Sequence, residues 1–125
     1  MLLNLSNHPT ETWTSDQVDA ALSEFGEIIY EPFPDIPPEY SGKDVYELAC
    51  KYFVICEEIL DGQDADSAVM LSGEMTFCAA LSHMLLDAGY RVVCSATSRM
   101  NVDLGEGRFL KSFKFIRFRD YCKFW

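Results

Sequence analysis

An α/β fold built on a mainly parallel sheet is what this sequence predicts, from three observations. Short apolar runs alternate with segments whose apolar residues recur at helical spacing. The boundaries between them carry caps, glycines or prolines. The run SAVMLS is apolar at four consecutive positions, as in a strand covered on both faces.

Met1 to Leu5 reads as a short buried strand that gives way to a loop, Ser6 to Thr12. Thr14, with Gln17 three residues on, has capping-box spacing and opens a helix. Val18, Ala21, Leu22 and Phe25 form that helix's apolar face, and Gly26 stops it. EIIYEPF (Glu27 to Phe33) is a second strand, and Pro34, Pro37 and Pro38 hold the following loop extended. A long helix follows, in which Val45, Leu48, Ala49, Tyr52, Cys56, Ile59 and Leu60 keep the helical period for about four turns.

SAVMLS (Ser67 to Ser72) is the third strand and ends in the polar turn Ser72-Gly73-Glu74. A largely apolar helix from Met75 to Ala88 is closed by Gly89. YRVVCSATSR (Tyr90 to Arg99) is the fourth strand, with a polar end of its own at Thr97, Ser98 and Arg99. A Gly- and acid-rich turn, Asp103 to Gly107, returns the chain along FLKSFKFIRFRDY as an antiparallel partner of the fourth strand. The order is β-α-β-α-β-α-β-β. Right-handed crossovers then favour a strand order of 2-1-3-4 with an antiparallel C-terminal edge strand, a small Rossmann-like three-layer sandwich in one domain spanning residues 1–125.

With 49% hydrophobic residues over 125 positions, the chain fills a core without help from disulfides or a structural metal. No apolar run approaches the ~18 residues of a membrane span, and the apolar start lacks the charged flank and cleavage site of a signal peptide, so a cytoplasmic protein is expected. The five cysteines are odd in number and show no C-x-x-C, which reads as reduced, buried small hydrophobes. His8 and His83 have no metal-ligand spacing around them, so neither a metal nor another cofactor is expected.

The net charge of −10 is unevenly spread: residues 1–90 hold 17 acidic and 2 basic side chains, residues 91–125 hold 3 and 8. Such a chain can present a local positive site on an acidic body that keeps long nucleic acids away. Cations that decorate an exposed edge strand are the plainer explanation.

In a doubly wound sheet a ligand sits beyond the carboxyl ends of the strands where the winding reverses, here between the first and third strands. Ser6-Asn7-His8, Ser72-Gly73-Glu74 and Thr97-Ser98-Arg99 are all expected on that edge. Each has a structural reading too. Ser6 and Asn7 suit a turn before Pro9, Ser72 suits an N-cap, and Glu74 suits the positive end of a helix dipole. Thr76 can face ligand or core, and Trp13 can stack on a base or pack ahead of its helix. The G-x-G-x-x-G, P-loop and G-x-S-x-G patterns are all absent. An edge of hydroxyls, amides, one imidazole and one Arg suits a phosphodiester, with Arg99 and helix N–H groups neutralising oxygens and His8 exchanging a proton. A ribose 2′-OH would supply the nucleophile without a metal.

Taken together, NLSNHP with the following Trp13 and Gln17, the SGEMTF turn, the SATSR strand and the closing FKFIRFRDY resemble small stand-alone CRISPR-associated proteins of Rossmann-like, CARF-related fold. That group includes ring nucleases of type III CRISPR antiviral signalling. The resemblance implies a homodimer that binds a cyclic oligoadenylate, tetra-adenylate favoured, across its two-fold axis. It also implies metal-independent cleavage by the 2′-OH. On this sequence it places Asn7 and His8 at the scissile ribose-phosphate, Ser72 to Thr76 at a phosphate or base seat, and Ser98 and Arg99 at the pocket's rim. Two alternatives stay open: a module that binds or sequesters the nucleotide without cutting it, and a nucleoside or nucleotide hydrolase using Glu74 and Asn7.

Overall fold

The computed structural model describes residues 1–125. Five strands form one sheet of order β2-β1-β3-β4-β5: β1 (Leu2–Ser6), β2 (Ile28–Tyr30), β3 (Ala68–Ser72), β4 (Arg91–Gly105) and β5 (Arg108–Asp120). β1 to β4 pair in parallel and β5 runs antiparallel to β4. The predicted α/β class, strand order and antiparallel edge are all present. Three helices, α1 (Ser15–Phe25), α2 (Gly42–Leu60) and α3 (Met75–Asp87), connect the parallel strands. None is long and apolar enough to cross a membrane.

Period-2 alternation splits the strands between two cores. Leu3, Leu5, Val69, Leu71 and Val92 pack with α2 and α3, where Phe77 meets Phe33 and Tyr52 edge to face at centroid distances of 5.2 and 5.6 Å. Leu2, Ala68, Met70 and Val93 pack on the other face with α1 and with Phe115 and Phe118 of β5. A helix layer on each face explains the uninterrupted apolar run of β3, since neither face of that strand meets water.

The helix boundaries differ from expectation in their chemistry. Thr14 caps α1, accepting the Gln17 N–H at 3.4 Å, but the Gln17 side chain turns inward to Met70 instead of closing a box. The complete capping box belongs to α2, between Ser41 and Asp44. Ser72 is not the cap of α3. Glu74 is, because the chain needs one more residue after β3 to turn into the helix.

Gly73 makes that turn against the ring of Phe33, where a Cβ would lie 2.4 Å from the nearest ring carbon. Gly73→Ala is expected to displace Phe33 from Phe77 and destabilise the fold by about 1–3 kcal/mol. A denaturation midpoint unchanged in urea would show that the loop carrying Phe33 shifts freely.

The largest departure is β4. It does not end at Arg99 but continues to Gly105, and a two-residue turn with Glu106 and Gly107 at φ 55° and 74° returns the chain into β5. Polar residues did not end the strand because β5 supplies the hydrogen-bond partners along its whole length. Ser98 and Arg99 therefore sit opposite Lys114 and Phe113 in the middle of a ribbon, not at a strand terminus.

Burial sorts the cysteines unevenly. Cys56 and Cys78 are buried, and desolvation pushes both thiols up to about 12, which keeps them protonated and inert. Cys50 and Cys94 are half-buried, and Cys122, beyond the end of β5, is exposed, contrary to the expectation of burial.

A carboxylate-free pocket at the β3/β4 fork

β4 pairs with β3 only through Arg91, Val92 and Val93, then diverges with β5. The fork opens a cavity of about 470 Å³ on the α1 side of the sheet, within the size range of small-molecule sites. His8 enters it from the end of β1, and Thr12, Trp13, Thr14 and Gln17 from the entrance to α1. Met70 and Ser72 form its floor from β3, while Ser95, Thr97, Phe113 and Phe115 wall it from the ribbon. No carboxylate lines it, although the chain carries 20 of them.

A buried polar network presents His8 to this pocket. Asn4, fully buried in the central strand, donates from Nδ2 to the His8 carbonyl at 3.1 Å and to Thr10 Oγ1 at 3.0 Å. Its Oδ1 accepts from the Ser6 hydroxyl at 2.6 Å, and Ser6 Oγ in turn accepts the His8 N–H at 3.2 Å. Trp13 Nε1 donates to the same His8 carbonyl at 3.0 Å. The backbone of His8 is thus held from three side chains while its imidazole stays exposed. Asn4 escaped the sequence reading. Its signal was available as the one polar residue within MLLNL, a position that burial permits only to a fully bonded amide.

The predicted site residues separate into three groups. His8, Trp13 and Ser72 line the pocket; Ser6 lies beneath it, wholly buried, with its hydroxyl engaged in the network. Asn7 is exposed beside the pocket, and its N–H extends the β1–β3 ladder to the Ser72 carbonyl at 3.1 Å. Gly73, Glu74 and Thr76 lie outside the lining, at the start of α3, whose helix packs on the opposite face of the sheet.

The Glu74 carboxylate accepts the Thr76 and Phe77 N–H groups at 3.1 and 2.8 Å and the Thr76 hydroxyl at 2.7 Å. The α3 N-terminus expected as a phosphate seat is therefore already filled by the chain's own carboxylate. The N-cap of α1, Thr14, by contrast lines the pocket, so the positive end of that helix dipole lies at the cavity. Along the ribbon, Ser98 alternates to the far face, while Arg99 shares the face of Thr97 and lies 5.4 Å from the centroid of the pocket residue Phe113.

The same hydrogen bonds hold the Glu74 carboxyl below its usual value, first through the Phe77 N–H and then through Thr76. A depressed carboxyl contributes stability that is complete above its unfolded value and lost as pH falls through the folded one. Thermal melts of the wild type and Glu74→Gln should differ by a constant margin above about pH 5.5 and converge under more acid conditions. Parallel curves down to pH 3 would remove the charged cap as their cause.

Elsewhere, His83 packs against Trp125 with ring centroids 4.2 Å apart, and Trp125 Nε1 donates to Asp87 at 3.1 Å, outside the pocket lining. Nowhere do three His, Cys, Asp or Glu side chains converge as a metal cluster. No curated protein and no solved structure matches the chain significantly. A family model does match, over residues 1–119 and so almost the whole chain, and by that match the chain belongs to the family described as Uncharacterized protein MJ1673 family.

Proposed function

We propose that the chain is a metal-independent ring nuclease that binds a cyclic oligoadenylate and opens its ring, as a regulator of type III CRISPR antiviral signalling. The observation that carries this reading is the pocket's lining: an imidazole, an indole, a second aromatic wall and several hydroxyls, with no carboxylate, on a chain of net charge −10. A site kept free of negative charge on so acidic a body suits an anion. Its aromatic walls suit a base.

In this reading Trp13 and Phe113 flank an adenine, and the Thr12, Thr14, Ser95 and Thr97 hydroxyls bond the ribose and phosphate. The positive end of α1 and the guanidinium of Arg99 offset the phosphate's charge. The ribose 2′-oxygen attacks the adjacent phosphorus and the bond from phosphorus to the 5′-oxygen breaks. His8 takes the 2′-OH proton and returns one to the departing 5′-oxygen, leaving a 2′,3′-cyclic phosphate and a 5′-OH. A pocket of this size takes one portion of a four-nucleotide ring, so a homodimer with two pockets about a two-fold axis matches the ring's symmetry. The nucleoside-hydrolase alternative is less favoured, because the Glu74 it would use accepts the Thr76 and Phe77 N–H groups as the α3 cap and does not line the pocket.

The test is incubation of the purified protein with labelled cyclic tri-, tetra- and hexa-adenylate in EDTA. Linear products ending in a cyclic phosphate support the nuclease. Retention of an intact ring makes the protein a sequestering module, and neither binding nor cleavage removes the cyclic nucleotide altogether.

A further inference from the structure

Beyond its pairing with β3, the β4–β5 hairpin leaves the sheet. Residues 97–111 are all exposed, and so are Phe113 and Lys114. A two-stranded ribbon standing alone in water is marginally stable. This one has an unusual far face. Met100, Val102, Leu104 and Leu110 share it, with Val102 directly opposite Leu110, and each is between 42% and 60% exposed. Four apolar side chains gathered on one exposed face mark a surface that another molecule covers.

The charges of the ribbon indicate which molecule. Arg99, Arg108, Lys111 and Lys114 outnumber Asp103 and Glu106, and the only ion pair among them is Arg108 with Glu106 at 3.8 Å, inside the turn itself. The body, residues 1–90, carries 17 acidic side chains against 2 basic ones, and of those acids only Glu24 takes part in an ion pair. Each chain thus holds a basic arm and an acidic body whose charges are mostly unpaired.

We infer that the arm docks through its Met100–Val102–Leu104–Leu110 face on a second copy of this chain, with Arg108 and Lys114, which alternate onto that same face, against the partner's acidic body. Each copy gives one arm and receives one, a closed two-fold exchange that explains the opposite charge of the two parts of one sequence. Because Thr97 and Phe113 stand at the base of the arm, the exchange also brings the two pockets into one assembly. The inference supplies the contact for the two-fold partner assumed in the ring-nuclease reading, but it is tested without any nucleotide.

Gel filtration with light scattering on the ligand-free protein should give the mass of two chains at micromolar concentration. Val102→Asp with Leu110→Asp should give the mass of one, with an unchanged far-ultraviolet circular dichroism spectrum. Arg108→Glu with Lys114→Glu, which leaves the apolar side chains of that face intact, should weaken the dimer at least about tenfold, as should a rise from low to high salt. A wild-type protein with the mass of one chain overturns the inference, whether or not it then binds single-stranded RNA through the basic arm. A double aspartate variant that keeps the mass of two chains overturns it as well. Ring cleavage is scored separately, so a failed dimer and a failed nuclease are distinct results.

Discussion

Replacing His8 by alanine is expected to reduce ring opening by about 10²–10⁴-fold while leaving the protein folded and still able to hold the nucleotide. The reason lies in how His8 is divided between scaffold and site. Its carbonyl and N–H belong to the buried network of Asn4, Ser6 and Trp13, and the substitution leaves all of those backbone bonds in place. Only the imidazole, which faces the cavity, is removed. Single-turnover cleavage of cyclic tetra-adenylate, read beside binding of the intact ring and thermal unfolding, separates the roles. Cleavage at the wild-type rate in His8→Ala would leave positioning of the 2′-OH as the whole of catalysis and strip His8 of its acid–base role.

Asn4→Leu should have the largest effect on stability, about 2–3 kcal/mol, despite keeping the branched four-atom side chain and adding apolar character at a wholly buried site. The change strips the Ser6 hydroxyl of its 2.6 Å acceptor, leaving it only the His8 carbonyl at 3.1 Å, and removes one donor from that carbonyl, which Trp13 Nε1 still serves. Leucine supplies none of the polarity, and three hydrogen bonds of a part-buried to buried network are lost at once, each worth about 1 kcal/mol. The loop from Asn7 to Thr12 should loosen as well, since Thr10 Oγ1 loses its donor. Cleavage should then fall even below the unfolding temperature. Urea denaturation gives the stability term. A midpoint within experimental error of wild type would mean the network adds nothing to the fold, and that His8 is placed by the strand alone.

The two variants act on one peptide segment through different physics, and their contrast is informative. His8→Ala removes chemistry from a fixed backbone. Asn4→Leu leaves the chemistry and releases the backbone. If the reading of the site is right, the first lowers the rate with unchanged stability and the second lowers both.

The parallel elements were legible in the sequence because their signals are local. Gly26 follows the last apolar residue of α1, the prolines after Phe33 forbid a further strand, and Ala68 to Leu71 admit only a strand buried on both sides. The strand order follows from crossover handedness once the alternation of strands and helices is known. That His8 and Trp13 come near the carboxyl end of β3 was legible for the same reason, since they lie in the segment that leaves a strand whose place in the order was predictable.

What only the tertiary structure decided is which polar residues share the site, because that depends on partners distant in the chain. Thr97, Ser98 and Arg99 look like a strand terminus until β5 pairs with them and carries β4 onward to Gly105. That extension splays β4 from β3, and the pocket is the gap so created, walled by Phe113 and Phe115, whose sequence context marks only an edge strand. Glu74 suits a helix dipole or a ligand by its sequence, and Thr76 ligand or core; the short carboxylate bonds to Thr76 and Phe77 decide for the helix cap. Local sequence determined the elements and their order through periodicity and steric limits on the backbone. The pocket arises from long-range pairing and from competition among hydrogen-bond partners, and both of these are settled only when the elements meet.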